Sequence, residues 1–317
     1  MALYRTTERL AVEVAAPLEE APPWSTLEWR VARAAVAIQG IAPLLAGALR
    51  WRGPDDWHAF LERQRRQCTL RHAHVVERLA AIERGARAAG IAVVPLKGAA
   101  LYRGGIHAPG ERSMGDIDLL VRPADLPATK RVLTDLGYVE AFENRRHATF
   151  EPRGAGPLVD YGEHVGNAVK VEVHTRIAEL LPADEVEITT ALLPDRTEPG
   201  LAEYPSRVAL LLHLLLHIAG NVRARALRQV QLLDVARLAP GFAAADWDAL
   251  LALPSGPRGP WWLYPGLALT ERYHPGTVPA GVRDATRDAC PPLLARATAS
   301  HRLVDVSWAR FRIQAFP

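Results

Sequence analysis

At 317 residues, 49% hydrophobic and 23% charged, the chain has material for one large core or two ordinary ones, and is too apolar for a disordered segment. A net charge of +3 is too slight to mark a nucleic-acid binder by itself. Two cysteines, Cys68 and Cys290, with no CxxC pair, exclude a disulfide framework and a zinc knuckle and point to a reducing, cytoplasmic compartment.

Residues 1–23 hold Pro17, Pro22 and Pro23 and four glutamates, so an irregular segment without a secretory leader is expected there. Ser25 and Glu28 have capping-box spacing, which starts a helix running to about 49. Gly53 and Pro54 break it, and Asp55 opens a long second helix. In that helix Trp57, Phe60, Leu61, Cys68, Val75, Leu79 and Ile82 recur at three- and four-residue spacing. Arg63, Arg65, Arg66, Arg71 and Arg78 fall between them and read as a solvated face, or alternatively as a wall facing a polyanion. Gly90 ends the helix.

Residues 91–96 predict a strand, and Lys97-Gly98 turns it into a short helix. Such a turn leaves backbone N–H groups pointing outward, which suits a phosphate. Lys97, one of only three lysines, adds a point charge there. A second strand is predicted at Asp116-Ile117-Asp118-Leu119-Leu120-Val121. Residues two apart on a strand share a face, so Asp116 and Asp118 project together. Paired carboxylates repel unless a cation lies between them, and Mg²⁺ suits such oxygen ligands. The pair Asp246 and Asp248 has the same spacing but sits in an Ala/Leu-rich helical stretch, where it reads as a solvated helix start.

A helix from Pro123 to Gly137 and a strand at 138–142 come next. Short strands are expected at 147–150 and 157–161. In 169–174, Val169, Val171 and Val173 alternate with Lys170, Glu172 and His174, which predicts a strand with one aliphatic and one ionisable face. From about 205 the pattern is helical. The run 208–218 is nearly all leucine apart from His213 and His217 and should be buried; the longest apolar runs fall short of the ~20 residues a bilayer needs, so no membrane span is expected. His213 and His217 share a face, but no glutamate follows His213, so the HExxH pattern is absent and both read as core or supporting groups. Trp261-Trp262, in a breaker-rich loop, is a candidate wall for an acceptor site.

Three stretches together, Leu96-Lys97-Gly98-Ala99-Ala100-Leu101, Arg112-Ser113-Met114-Gly115-Asp116-Ile117-Asp118, and Val171-Glu172-Val173-His174, resemble a family of bacterial nucleotidyltransferases within the polymerase-beta-like superfamily. The segment from His217 to Asp234 resembles it too, so the likeness spans roughly 91–236. The resemblance implies an α+β fold: a small mixed nucleotidyltransferase sheet with helices on one side, flanked by N- and C-terminal helical regions. The corresponding division is 1–90, 91–185 and 186–317. It also implies that Asp116, Asp118 and Glu172 hold the metal, Mg²⁺ with Mn²⁺ as the alternative, and that Glu172 is the candidate base. Lys97, Gly98 and Arg112 would face the phosphates of an NTP donor. His174, His217, Arg228 and Asp234 would support the site or its acceptor side. Arg112 has a second reading, as a structural ion pair with a carboxylate of the metal site. Most of the superfamily carries a Gly-Ser pair ahead of the aspartates, and here Lys97-Gly98 stands in its place. The expected acceptor is a peptide or small molecule, as in natural-product biosynthesis, or a sugar phosphate, with tRNA or protein as the alternative. Rival readings are an Asp-x-Asp glycosyl or phosphoryl transferase and a non-catalytic nucleotide-binding module.

Overall fold

The computed structural model describes all residues except 145–146, 158, 160–161, 196–197, 254–258 and 315–317, and the side chains of 313 and 314. The N-terminal part comprises α1 (Ala2–Glu13), α2 (Thr26–Gln39), α3 (Ala42–Ala48) and the long α4 (Asp55–Ala88). The centre follows as β1 (Ala92–Pro95), α5 (Lys97–Arg103), β2 (Asp116–Leu120), α6 (Leu126–Asp135), β3 (Tyr138–Glu143), β4 (His147–Pro152), β5 (Lys170–His174), β6 (Ala178–Leu180) and β7 (Glu185–Glu187). Then come α7 (Thr189–Leu192), β8 (Gly200–Leu201), α8 (Arg207–Ala224), α9 (Gln229–Leu238), α10 (Ala244–Ala252), α11 (Leu263–Tyr273), α12 (Ala280–Ala289), α13 (Pro292–Ser300) and α14 (Leu303–Gln314).

Six strands form one mixed sheet in the order β3-β4-β5-β2-β1-β8, and β6 and β7 form a separate hairpin. The central pair, β2 and β5, runs parallel, whereas β1 and β4 lie antiparallel on either side of it. The pleat sorts the side chains. Ile117, Leu119, Val171, Val173 and Phe150 point to one face, where Val75, Leu79 and Ile82 of α4 and Val132 and Leu133 of α6 cover them. Each such side chain contributes about 2 kcal/mol by leaving water, which is what holds α4 against the sheet. On the other face, Val94 and Leu120 are covered by the α8 core, and the opposite end of that face carries Asp116, Asp118 and Glu172. Helix α8 is long and apolar enough to cross a membrane, the only such single helix among the described residues. It is the central helix of the C-terminal core, however, with Leu211, Leu215, Leu216 and Ile218 fully buried.

Several expectations need correction. Residues 1–23 are not all irregular: 2–13 form α1, which buries Thr6, Thr7, Leu10 and Ala11 before the first proline is reached. The predicted helix to about 49 is two helices, bent by 112° at Gly40. Gly40 adopts φ +70°, and a Cβ there would meet Arg228 Nη2 at 2.7 Å, so both conformation and space call for glycine. No strand includes Pro157 or Val159, and the rest of that predicted strand lies mostly outside the described residues. Strands β6, β7 and β8 are too short to show a period and went unread. Trp261 and Trp262 do not stand in an open loop; both are buried in the C-terminal core. The pair Asp246/Asp248 does open a helix, with Asp246 accepting from the Ala243 amide at 2.8 Å.

Arg71 is the remaining correction. It lies on the arginine face of α4 but is 5% exposed, and it donates to the carbonyls of Met114 (2.9 Å), Gly115 (2.9 Å), Ala168 (3.1 Å) and Asn167. These carbonyls belong to the chain entering β2 and the chain entering β5. One guanidinium therefore ties together the two strands that carry the acidic residues. Gln64 and Gln67, at helical spacing from Arg71, accept from the amides of Glu163 and Val165 and pin the loop before β5.

Candidate active site

Register brings the acidic residues together. Asp118 of β2 lies opposite Glu172 of the parallel β5, and Asp116 lies opposite Lys170. Asp118 is 6% exposed, and Glu172 is its neighbour on the same face of the sheet. The β1–β2 pairing continues one step past β1, where the Leu96 amide donates to the Asp118 carbonyl at 2.8 Å. This fixes Lys97 beside Asp118. Lys97 is one of two non-glycine residues with positive φ among the described residues, at +47°, a left-handed turn that costs about 1–2 kcal/mol outside glycine. The turn carries its ammonium back over the carboxylates, and Nζ lies 2.7 Å from Asp118 Oδ1. His174, two residues beyond Glu172 on the same face, places Nε2 3.0 Å from the same oxygen and 3.7 Å from Glu172 Oε2.

The electrostatics follow from that crowding. Burial alone would raise Asp118, but Lys97 and His174 hold it far below the usual carboxylate range. Burial and the neighbouring Asp118 push Asp116 up. Burial, Asp118 and Asp116 push Glu172 up to about 7. Burial would lower Lys97, yet the charges of Asp118, Asp116 and Glu172 hold it raised. Asp118 alone touches the ammonium, while Asp116 and Glu172 act on it through their charge, so three carboxylates share one lysine. A set of carboxylate oxygens with that deficit fits a hard divalent cation, and Lys97 is the cation standing in the gap.

The supporting residues divide. Arg112 is committed to Asp234 by a buried bidentate pair, Nε to Oδ1 and Nη2 to Oδ2 both at 2.8 Å, and His107 Nε2 lies 2.9 Å from the same Oδ1. Its partner is therefore the distant Asp234 and not a carboxylate of the acidic cluster. Its Nη1 packs where a Cβ of Gly98 would be, at 2.4 Å, so Gly98 is small because Arg112 and Met114 lie against it. His213 is bonded to the Tyr204 hydroxyl at 2.7 Å, and that hydroxyl accepts from the Lys97 amide at 3.3 Å. His217 Nε2 accepts from Asn221 Nδ2 at 3.1 Å. Burial and the nearby Lys97 charge keep both histidines neutral, His217 down to about 3.

Two cations complete the surroundings. Arg228 donates from Nε to the Ile38 carbonyl at 2.9 Å, and Arg310 of α14 donates from Nε to the Ala226 carbonyl at 3.0 Å. Asp116 feels the charge of Arg228, and Arg310 feels the charge of Asp116. Arg228 was expected near the site. Arg310 was not, since a lone arginine in a terminal helix gives no signal until α14 docks on the α8–α9 connection. His147 was likewise missed. It lies opposite His174 in the β4–β5 register, and its Nε2 is 3.9 Å from Glu172 Oε1. The alternation of His147 and Thr149 with buried Ala148 and Phe150 was the signal available for it. A cleft of about 180 Å³ opens over this region, lined by Lys97, His147, Glu172, His174, His213 and His217 among others.

Compared with known proteins, residues 25–273 match the model of a family described as uncharacterised nucleotidyltransferases. No curated protein and no solved structure gives a significant match.

Proposed function

The chain belongs to that nucleotidyltransferase family, and on that premise we propose that it is a metal-dependent enzyme moving a nucleoside monophosphate from an NTP to an acceptor hydroxyl or phosphate. The observation that carries the metal dependence is the group of Asp116, Asp118 and Glu172 on two adjacent parallel strands around a single ammonium. These three carboxylates would hold Mg²⁺ or Mn²⁺, which when bound polarises the phosphoryl oxygens and neutralises charge developing on the leaving group.

The chain's own residues then have defined tasks. The acceptor oxygen forms a bond to the α-phosphorus, the bond to the β-phosphate oxygen breaks, and pyrophosphate leaves with that electron pair. Glu172, the acidic-cluster carboxylate that lines the cleft, takes the proton released by an acceptor hydroxyl. Lys97, Arg228 and Arg310 supply fixed positive charge for the triphosphate, in place of the Gly-Ser turn used elsewhere in the superfamily. Arg112 acts indirectly: paired with Asp234, it packs under Gly98 and sets the position of the Lys97 turn. His174 orients Asp118 and Glu172. The histidine-lined cleft beside Glu172 is the acceptor side, and its size suits a hydroxyl or phosphate end of a peptide, small molecule or sugar phosphate.

The test uses NTPs labelled at the α-phosphate, with Mg²⁺ and candidate acceptors. Label should enter the acceptor while pyrophosphate appears, and Asp118→Asn should abolish both. Transfer of a γ-phosphate or of a sugar, or α-label transfer undiminished in Asp118→Asn, would overturn the proposal.

A further inference from the structure

We propose that His147, Glu172 and His174 form a binding site selective for a first-row transition metal of the Mn²⁺, Co²⁺ and Zn²⁺ class. The proposal shares Glu172 with the reading above but does not need nucleotidyl transfer to hold.

Geometry makes the case. β4 and β5 pair so that His147 and His174 sit directly opposite each other, and Glu172 projects from the same face two residues away. One ligand atom from each of the three lies within 4.8 Å of the others. Glu172 turns one oxygen to each imidazole, Oε2 to His174 at 3.7 Å and Oε1 to His147 at 3.9 Å. All three members of the cluster line the open cleft, so an ion has a path in.

The donor set decides the class of ion. Two imidazoles and a carboxylate suit Mn²⁺, Co²⁺ and Zn²⁺, whereas Mg²⁺ prefers oxygen throughout. The neighbouring His213 and His217 are each already held, by Tyr204 and Asn221, and so do not compete for the ion.

The experiment titrates the full chain, freed of metal, with Co²⁺ and follows the visible absorption bands that nitrogen ligation intensifies. Zn²⁺ and Mg²⁺ are then added as competitors. One equivalent of Co²⁺ should bind, Zn²⁺ should displace it, and Mg²⁺ at equal concentration should not. His147→Gln and His174→Gln should each weaken Co²⁺ binding by about tenfold or more. Asp116→Asn should keep the spectrum while losing nucleotidyl transfer, which separates this proposal from the catalytic one. A spectrum equal to that of hydrated Co²⁺, or displacement of Co²⁺ by equimolar Mg²⁺, overturns it. So does a His147→Gln variant with unchanged melting temperature and wild-type Co²⁺ affinity.

Discussion

If the Lys97 ammonium stands where a divalent ion would bind, replacing it should change metal-free stability and metal response in opposite directions. The Lys97 and Asp118 side chains are 14% and 7% exposed, with Nζ 2.7 Å from Oδ1. At that distance the Coulomb attraction is about 6 kcal/mol at an effective dielectric of 20, most of it offset by desolvation. Removing one partner of a buried pair costs about 3–5 kcal/mol because the other charge is stranded. His174 still holds Asp118, so Lys97→Met should sit at the lower end, about 3 kcal/mol. Methionine keeps the length of the stem and the left-handed backbone is unchanged, so the difference reports the charge. In EDTA the variant should melt about 4–5 °C below the wild type. An ion at about 100 times its dissociation constant returns about 2.7 kcal/mol, so saturating Mg²⁺ or Mn²⁺ should bring the variant nearly to the melting temperature of the wild type in EDTA. The assay is thermal unfolding followed by circular dichroism, with and without metal. Equal melting in EDTA, or a metal-induced shift larger in the wild type than in the variant, would refute the reasoning.

Glu172 predicts a pH dependence. Its carboxyl is raised from 4.5 to about 7 in the folded chain, so the folded state holds a proton that the unfolded state has released. Metal-free stability should therefore fall as pH rises from about 4.5 to about 7, by about 2 kcal/mol after allowance for the partial exposure of the group. Urea unfolding in EDTA should show this slope in the wild type and its loss in Glu172→Gln; parallel curves would count against it. Arg71→Ala should destabilise the chain by about 3–5 kcal/mol, measured by urea unfolding, because it leaves several buried carbonyls unpaired at the entrance to both site strands. Arg228→Ala and Arg310→Ala should each raise the KM for NTP several-fold with a smaller change in kcat. Steady-state kinetics check this, and an unchanged KM in both would remove them from the phosphate side.

The parts legible in the sequence are those fixed by period. The α4 repeat from Trp57 to Ile82 and the Val169–His174 alternation each report one face against one core, and both elements form where expected. The acidic residues were legible for the same reason, since two-residue spacing on a strand is geometry as much as pattern. What a period cannot carry is a partner that arrives from elsewhere. Arg71 has the same local pattern as Arg78, yet only Arg71 meets the carbonyls of 114–115 and 167–168. Arg112 and Asp234 are 122 residues apart, and nothing local says that they pair. The N-terminal helix was hidden by the prolines after it, and its Glu13, which looks like a surface charge, is buried against the Trp51 indole N–H at 2.9 Å.

The docking of α14 reaches both ends of the chain. Glu8 of α1 accepts from the Leu303 amide at 2.8 Å and from the Tyr273 hydroxyl at 2.7 Å, and Tyr4 bonds Asp305, so the first helix clasps the last. Both lie outside residues 25–273, and the last carries Arg310. A protein trimmed to the family-matched span would lose the clasp and that guanidinium together, and a bulky fusion at either terminus would press on one of the two clasped helices.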